Sequence, residues 1–154
     1  MERDRTPFNA PNPDFAARVQ ASFARQRIME LLGAELAGIE AGLCEIRLPF
    51  KEALCQQHGF FHGGVIGTIA DSAGGYAGFS LMPADASVLT VEYKLNLLAP
   101  ADGDYLLATG RVVRPGRTLV VCRADVVVYK DTRQTLCATL LQTLMTMHGR
   151  SDET

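Results

Sequence analysis

The sequence predicts an α+β domain: an antiparallel sheet wrapped around one buried central helix, with a further helix at the N-terminus. Three observations predict it. Residues 60–78 form an apolar run studded with glycine. After Pro83 the apolar period switches from helical to two. Turn signals at 100–103, 114–117 and 130–133 cut the rest into hairpin-joined strands, which points to an antiparallel sheet.

The chain has 154 residues, enough for one domain (1–154) with a real core, its ends at 1–12 and 148–154 read as flexible. Its hydrophobic fraction of 47% and charged fraction of 21% are those of a soluble globular protein. A net charge of -2 argues against nucleic acid as a partner. Cys44, Cys55, Cys122 and Cys137 form no C-x-x-C pair, so no metal site is expected. They read as reduced core thiols of a cytoplasmic protein. Residues 1–5 lack the apolar core of a signal peptide, and the glycines and acid in 60–78 make it a poor membrane span.

Asn12-Pro13-Asp14 is a helix-start signal, and one helix is expected to run on to about Leu32 with Phe15, Val19 and Phe23 on one face. Gly33 is its stop. Residues 35–50 read as a strand pair with Gly38 and Gly42 near the turn, and 51–61 as a loop. From Gly64 to about Leu81 a helix is expected. Its glycines each cost up to about 1 kcal/mol of propensity, so packing must hold it. In 87–97, Leu89, Val91, Tyr93, Leu95 and Leu97 fall on one face, and Thr90, Glu92, Lys94 and Asn96 on the other. Strands follow at 105–113, 118–129 and 134–147. Arg114-Pro115-Gly116-Arg117 reads as a type II turn between the first two.

Asp71 is the one charged residue between Glu52 and Asp85. A lone carboxylate in apolar surroundings is costly to bury unless something pairs with it, which makes it a site candidate. The bland alternative is a helix Asp bonded to a nearby backbone donor. Gly64, Thr68 and Asp71 share one helix face by their i, i+4, i+7 spacing. Asp71 therefore faces the same way as the open first turn of its helix, whose N–H groups carry partial positive charge. Glycine there lets a ligand oxygen approach the backbone; a tight junction is the alternative.

The segment from His62 to Asp71, His-Gly-Gly followed by an acid seven residues later, resembles the signature of hotdog-fold acyl-CoA thioesterases of the phenylacetate-pathway type. The resemblance covers roughly residues 31–147. It implies hydrolysis of an acyl-CoA to free acid and coenzyme A, with no metal and no cofactor beyond the coenzyme A of the substrate. It implies Asp71 as nucleophile or general base and the Gly63 N–H as the donor that polarises the thioester carbonyl. It places an amide side chain at Gln56, where many relatives have Asn; Gln57 is the fallback. Thr90 matches the Ser or Thr that helps hold the water. The site is implied to form across a homodimer, with a dimer of dimers as the larger assembly.

His62 and Gly64 are read as substrate-binding parts of the turn, His62 fixing the loop rather than acting as base. His58 reads as solvated, and Cys55 lacks the partners of a nucleophile. Coenzyme A needs cations for its phosphates, and Arg111, Arg114 and Arg117 cluster at one turn. Arginines at a hairpin are also ordinarily solvated. Two alternatives stand beside the thioesterase. One is a hotdog hydratase or dehydratase, which would require a catalytic His62 or His58. The other is a non-catalytic acyl-CoA binding module. Phe60, Phe61, Tyr76, Phe79 and Met82 are candidates for an acyl tunnel or for plain core.

Overall fold

The computed structural model describes residues 8–153. Two short helices, α1 (Phe15–Arg25) and α2 (Arg27–Leu32), precede the hairpin β1 (Glu35–Glu40) and β2 (Leu43–Pro49). A single 3₁₀ turn at Glu52–Leu54 leads to the long helix α3 (Gly63–Phe79). Strands β3 (Ser87–Leu97), β4 (Tyr105–Pro115), β5 (Leu119–Lys130) and β6 (Arg133–Met147) complete the chain. The six strands form one antiparallel sheet in the order β1-β2-β4-β5-β6-β3.

Helix α3 lies on the sheet because its residues are small. Gly110 on β4 has no room for a Cβ, which would sit 2.2 Å from the carbonyl oxygen of Ala73. That contact sets the helix-to-sheet distance at the middle of the sheet. Ile66, Ile69, Ala70, Ala73, Ala77 and Phe79 are buried against Ile46, Leu48, Leu106, Val126 and Leu140. Phe79 and Met82 belong to this core, not to a tunnel. Cys44, Cys122 and Cys137 are free and buried, and burial pushes the first two thiols up to about 12 and the third to about 11.

The expected single N-terminal helix is two. Gln26 sits in extended backbone (φ -79°, ψ 96°) between α1 and α2. Its side chain turns inward instead, accepting from Ser72 Oγ at 3.1 Å and donating to the Tyr76 hydroxyl at 3.4 Å. Asp14 makes no side-chain cap; Asn12 Oδ1 accepts from the Asp14 N–H at 3.0 Å. Gly33 ends α2 in the left-handed region (φ 77°), as expected. Arg18 on α1 closes the other end of α3. It donates to the carbonyls of Phe79, Met82 and Pro83 at 2.9, 2.8 and 2.6 Å.

Two further expectations are corrected by backbone irregularities. Gly116 is not in the left-handed region, so the turn is not type II. Glycine is needed there because a Cβ would lie 2.1 Å from the Leu119 carbonyl oxygen. Strand β3 is bulged between Thr90 and Glu92, so simple alternation fails along it. Thr90 pairs with Leu144 and Tyr93 with Gln142, both buried on the helix side, while Leu89 pairs with exposed Met145. Thr90 therefore leaves the face it was assigned with Glu92 and Lys94 and joins the helix-facing row.

Of the two ends read as flexible, residues 1–7 and 154 lie outside the described residues. Phe8 packs over Gly42, and Asp152 is paired with Arg25 on α1 at 2.6 Å. No helix among the described residues is long and apolar enough to cross a membrane.

Candidate active site

The first turn of α3 is organised by its own sequence. His62 is the N-cap, with its Nδ1 accepting from the Gly64 N–H at 2.8 Å. The Val65 and Ile66 N–H groups both reach the His62 carbonyl, at 3.0 and 3.1 Å. The Gly63 N–H is left as the donor of this turn without a partner among the described residues. A helix start concentrates positive potential on such a donor. Leu97 packs beside it, so a Cβ on Gly63 would meet the Leu97 Cδ1 at 2.8 Å.

Two turns further on, Asp71 is half-buried and doubly held. Thr90 Oγ1 donates to its Oδ1 at 2.8 Å, and Gln142 Nε2 donates to the same oxygen at 2.8 Å. Oδ2 has no hydrogen-bond partner among the described residues. These are the pairings a lone carboxylate in an apolar segment requires. The bland alternative, a nearby backbone donor, is not what holds it. Sequence reading found Thr90 and missed Gln142. The signal was there: Gln142 lies in the inward row of β6 between Leu140 and Leu144, where an apolar residue is expected.

Asp71 opens on a polar cavity of ≈ 160 Å³, lined also by Ser22, Gln26, Ser72, Tyr76 and Asp152. The Tyr76 hydroxyl is bonded to Ser22 Oγ at 3.2 Å, and burial raises its pKa. Gly63 opens on a different cleft of ≈ 410 Å³, lined also by Gln56, Phe60, Phe61, Ile66 and Leu97. The two cavities share no residue. Eight residues of helix put the Gly63 and Asp71 backbones about 12 Å apart.

Gln56 sits in the cleft with Gly63, but its Oε1 closes the loop onto the His58 and Phe60 N–H groups. His58 is exposed and lies off both cavities. Arg111 and Arg114 share the outer face of the sheet, because a bulge between Val112 and Arg114 shifts the alternation. Arg111 stands opposite Arg123, and Arg117 lies in the β4–β5 turn, its carbonyl meeting His148 Nε2 at 2.9 Å. None of the three arginines lines either cavity. Among the described residues, no group of three His, Cys, Asp or Glu side chains is placed to hold a metal.

A long helix with a glycine turn at its start and an acid two turns on, laid on a six-stranded antiparallel sheet, defines the hotdog class. The chain belongs to the thioesterase superfamily, whose family model matches residues 58–135. A crystal structure of a thioesterase-family protein from Silicibacter pomeroyi superposes with a TM-score of 0.87 at 46% identity, covering 88% of this chain and 99% of that one. The PaaI protein of the Escherichia coli phenylacetic acid degradation operon shares the fold, with a TM-score of 0.79 at 20% identity over 89% of this chain and 96% of that one. The 1,4-dihydroxy-2-naphthoyl-CoA hydrolase of Listeria monocytogenes is 26% identical over 71% of this chain and 88% of its own length.

Proposed function

We propose that the protein hydrolyses an acyl-CoA thioester to a free carboxylic acid and coenzyme A. The observation that carries this reading is the pairing of a free Gly63 N–H at a helix start with a half-buried Asp71 whose Oδ2 is unengaged. The Gly63 N–H binds the carbonyl oxygen as it becomes an oxyanion. Asp71 Oδ2 takes a proton from the attacking water, or itself attacks the carbonyl carbon. Either route breaks the C–S bond and releases coenzyme A as a thiolate that takes up a proton; on the second route water then hydrolyses the acyl–Asp71 anhydride, which frees the acid and restores the carboxylate. Gln56 flanks the Gly63 side. Thr90 holds the carboxylate, and through it the water.

The two halves belong to different subunits in this reading. An oxyanion donor and an attacking group must both lie about 3 Å from one carbonyl, which the roughly 12 Å offset within one helix does not allow. Strand β3 supplies the means of association. It is an edge strand of eleven residues, with Leu89, Val91, Tyr93 and Leu97 exposed. Such an edge is a template for pairing with a second copy. Arg111, Arg114 and Arg117 are the proposed contacts to the nucleotide phosphates.

The hydratase alternative needs a His paired with an acid, and the described residues of one chain hold no such pair. Among the described residues neither His62 nor His58 bonds a carboxylate, and His62 Nδ1 is spent on the helix cap. Thiol release from a panel of acyl-CoA substrates tests the proposal. Release by the native chain and its loss in Asp71→Asn support it. Tight acyl-CoA binding without release would favour the binding module instead.

A further inference from the structure

Gln142 is held at an energetic disadvantage, and the disadvantage points to a role. Its side chain is 0% exposed, in the helix-facing row of β6 between Leu140 and Leu144. Nε2 donates to Asp71 Oδ1 at 2.8 Å and lies 3.3 Å from the Asp71 carbonyl oxygen. Oε1 is buried and has no hydrogen-bond partner among the described residues. An unpaired buried carbonyl is destabilising, and each such atom in a folded protein needs an explanation.

The opposing helix is shaped to admit it. A Cβ on Gly74 would lie 1.6 Å from Gln142 Oε1. While Gln142 holds this position Gly74 can carry no side chain, although alanine favours helix interiors. A core built for stability alone would place Leu or Met at 142 and Ala at 74. Both positions depart from that, and together they aim one amide N–H at Asp71.

We infer that Gln142 is a positioning residue for Asp71. Gln142 and Thr90 both bind Oδ1, so they fix the plane of the carboxylate and leave Oδ2 as its reactive oxygen. The other ionisable groups at this cavity are Tyr76, on the same helix, and Asp152, which is paired with Arg25. The inference rests on the thioesterase reading and adds a residue 71 positions away in sequence.

The test compares native protein with Gln142→Met and Gln142→Glu, by the kcat and KM of thiol release and by thermal unfolding. Gln142→Met keeps length and volume while removing the donor and the orphaned oxygen. It is expected to unfold no lower than native, yet to lose about tenfold to a hundredfold in kcat, since small misplacements of a reacting group cost that much. Its KM is expected to stay near native. Gln142→Glu replaces the donor with a second carboxylate against Asp71 and is expected to lower kcat further. The double variant Asp71→Asn with Gln142→Met is expected to be no slower than Asp71→Asn alone, as for residues acting as one unit. Native kcat in both single variants would overturn the inference and leave the thioesterase reading intact. An absence of thiol release by the native chain would overturn both.

Discussion

Thr90 donates a hydrogen bond of 2.8 Å to Asp71 only because β3 is bulged just beyond Thr90. Strict alternation would turn Thr90 to the outer face with Glu92, away from α3. The extra residue, Val91, lets Thr90 face the helix while Glu92 still faces out. The bulge thus re-aims one side chain at the acid, a frequent use of bulges near sites. Deleting Val91 would make Thr90 and Glu92 neighbours on opposite faces in regular pairing, so the contact and most of the rate are expected to survive it, whereas Thr90→Val removes the bond and is expected to lower thiol release about tenfold.

Asp71→Asn removes the base or nucleophile and keeps the shape of the side chain. A positioned general base contributes roughly 100- to 10,000-fold, and a loss in that range is expected in thiol release. Urea unfolding of this variant should match or exceed native stability, since the charge it removes is half-buried.

Gly63→Pro isolates the oxyanion donor. Proline is tolerated at the first helical position, where the N–H has no helical partner. His62, just before it, already has the extended backbone (φ -65°, ψ 138°) that precedes proline without strain. The Cβ of the new ring meets the flexible end of the Leu97 side chain. The variant is expected to fold and to lose about 100-fold or more in kcat.

A composite site makes a further demand on these two variants. Each is nearly inactive alone. In a mixed dimer one of the two sites carries both defects and the other carries neither. Unfolding and refolding them together in equal amounts should restore roughly a quarter of native activity, because about half the dimers are mixed. No recovery, with dimers shown by light scattering, would place the whole site in one chain.

His62→Ala leaves the Gly64 N–H uncapped. Loss of a cap costs about 1 kcal/mol, which is roughly 2–4 °C in Tm for a chain of this size. His62→Asn should recover most of it. Activity is expected to follow the cap, with Asn restoring both; activity lost in both variants would make His62 a catalytic base.

Alkaline pH should destabilise the fold through its thiols. Cys44 and Cys122 are raised by burial from 9.0 to about 12. Their contribution is fully present below pH 9 and is lost as pH rises toward 12, because only the unfolded chain then releases the protons. Urea midpoints between pH 8 and 11 should fall, with each thiol contributing up to about 1.4 kcal/mol per pH unit. Cys122→Ala should flatten that fall.

Much of the fold could be read along the chain. The glycine-rich helix, the stop at Gly33, the span of β3 and the loop before His62 are set by local spacing and turn chemistry. So is the presence of a glycine start and of Asp71 on one helix. What tertiary structure decided lies between elements. The break at Gln26 follows from its bonds to Ser72 and Tyr76 on α3. Gln142 meets Asp71 through a strand register that a bulge in β3 and another in β6 itself, at Cys137, adjust. Arg111 and Arg114 reach one face through another bulge. Periodicity tells which residues share a face of one element. A bulge changes that face by one residue without a distinctive sequence, so side-chain pairs across elements are settled only when the sheet closes on its helix.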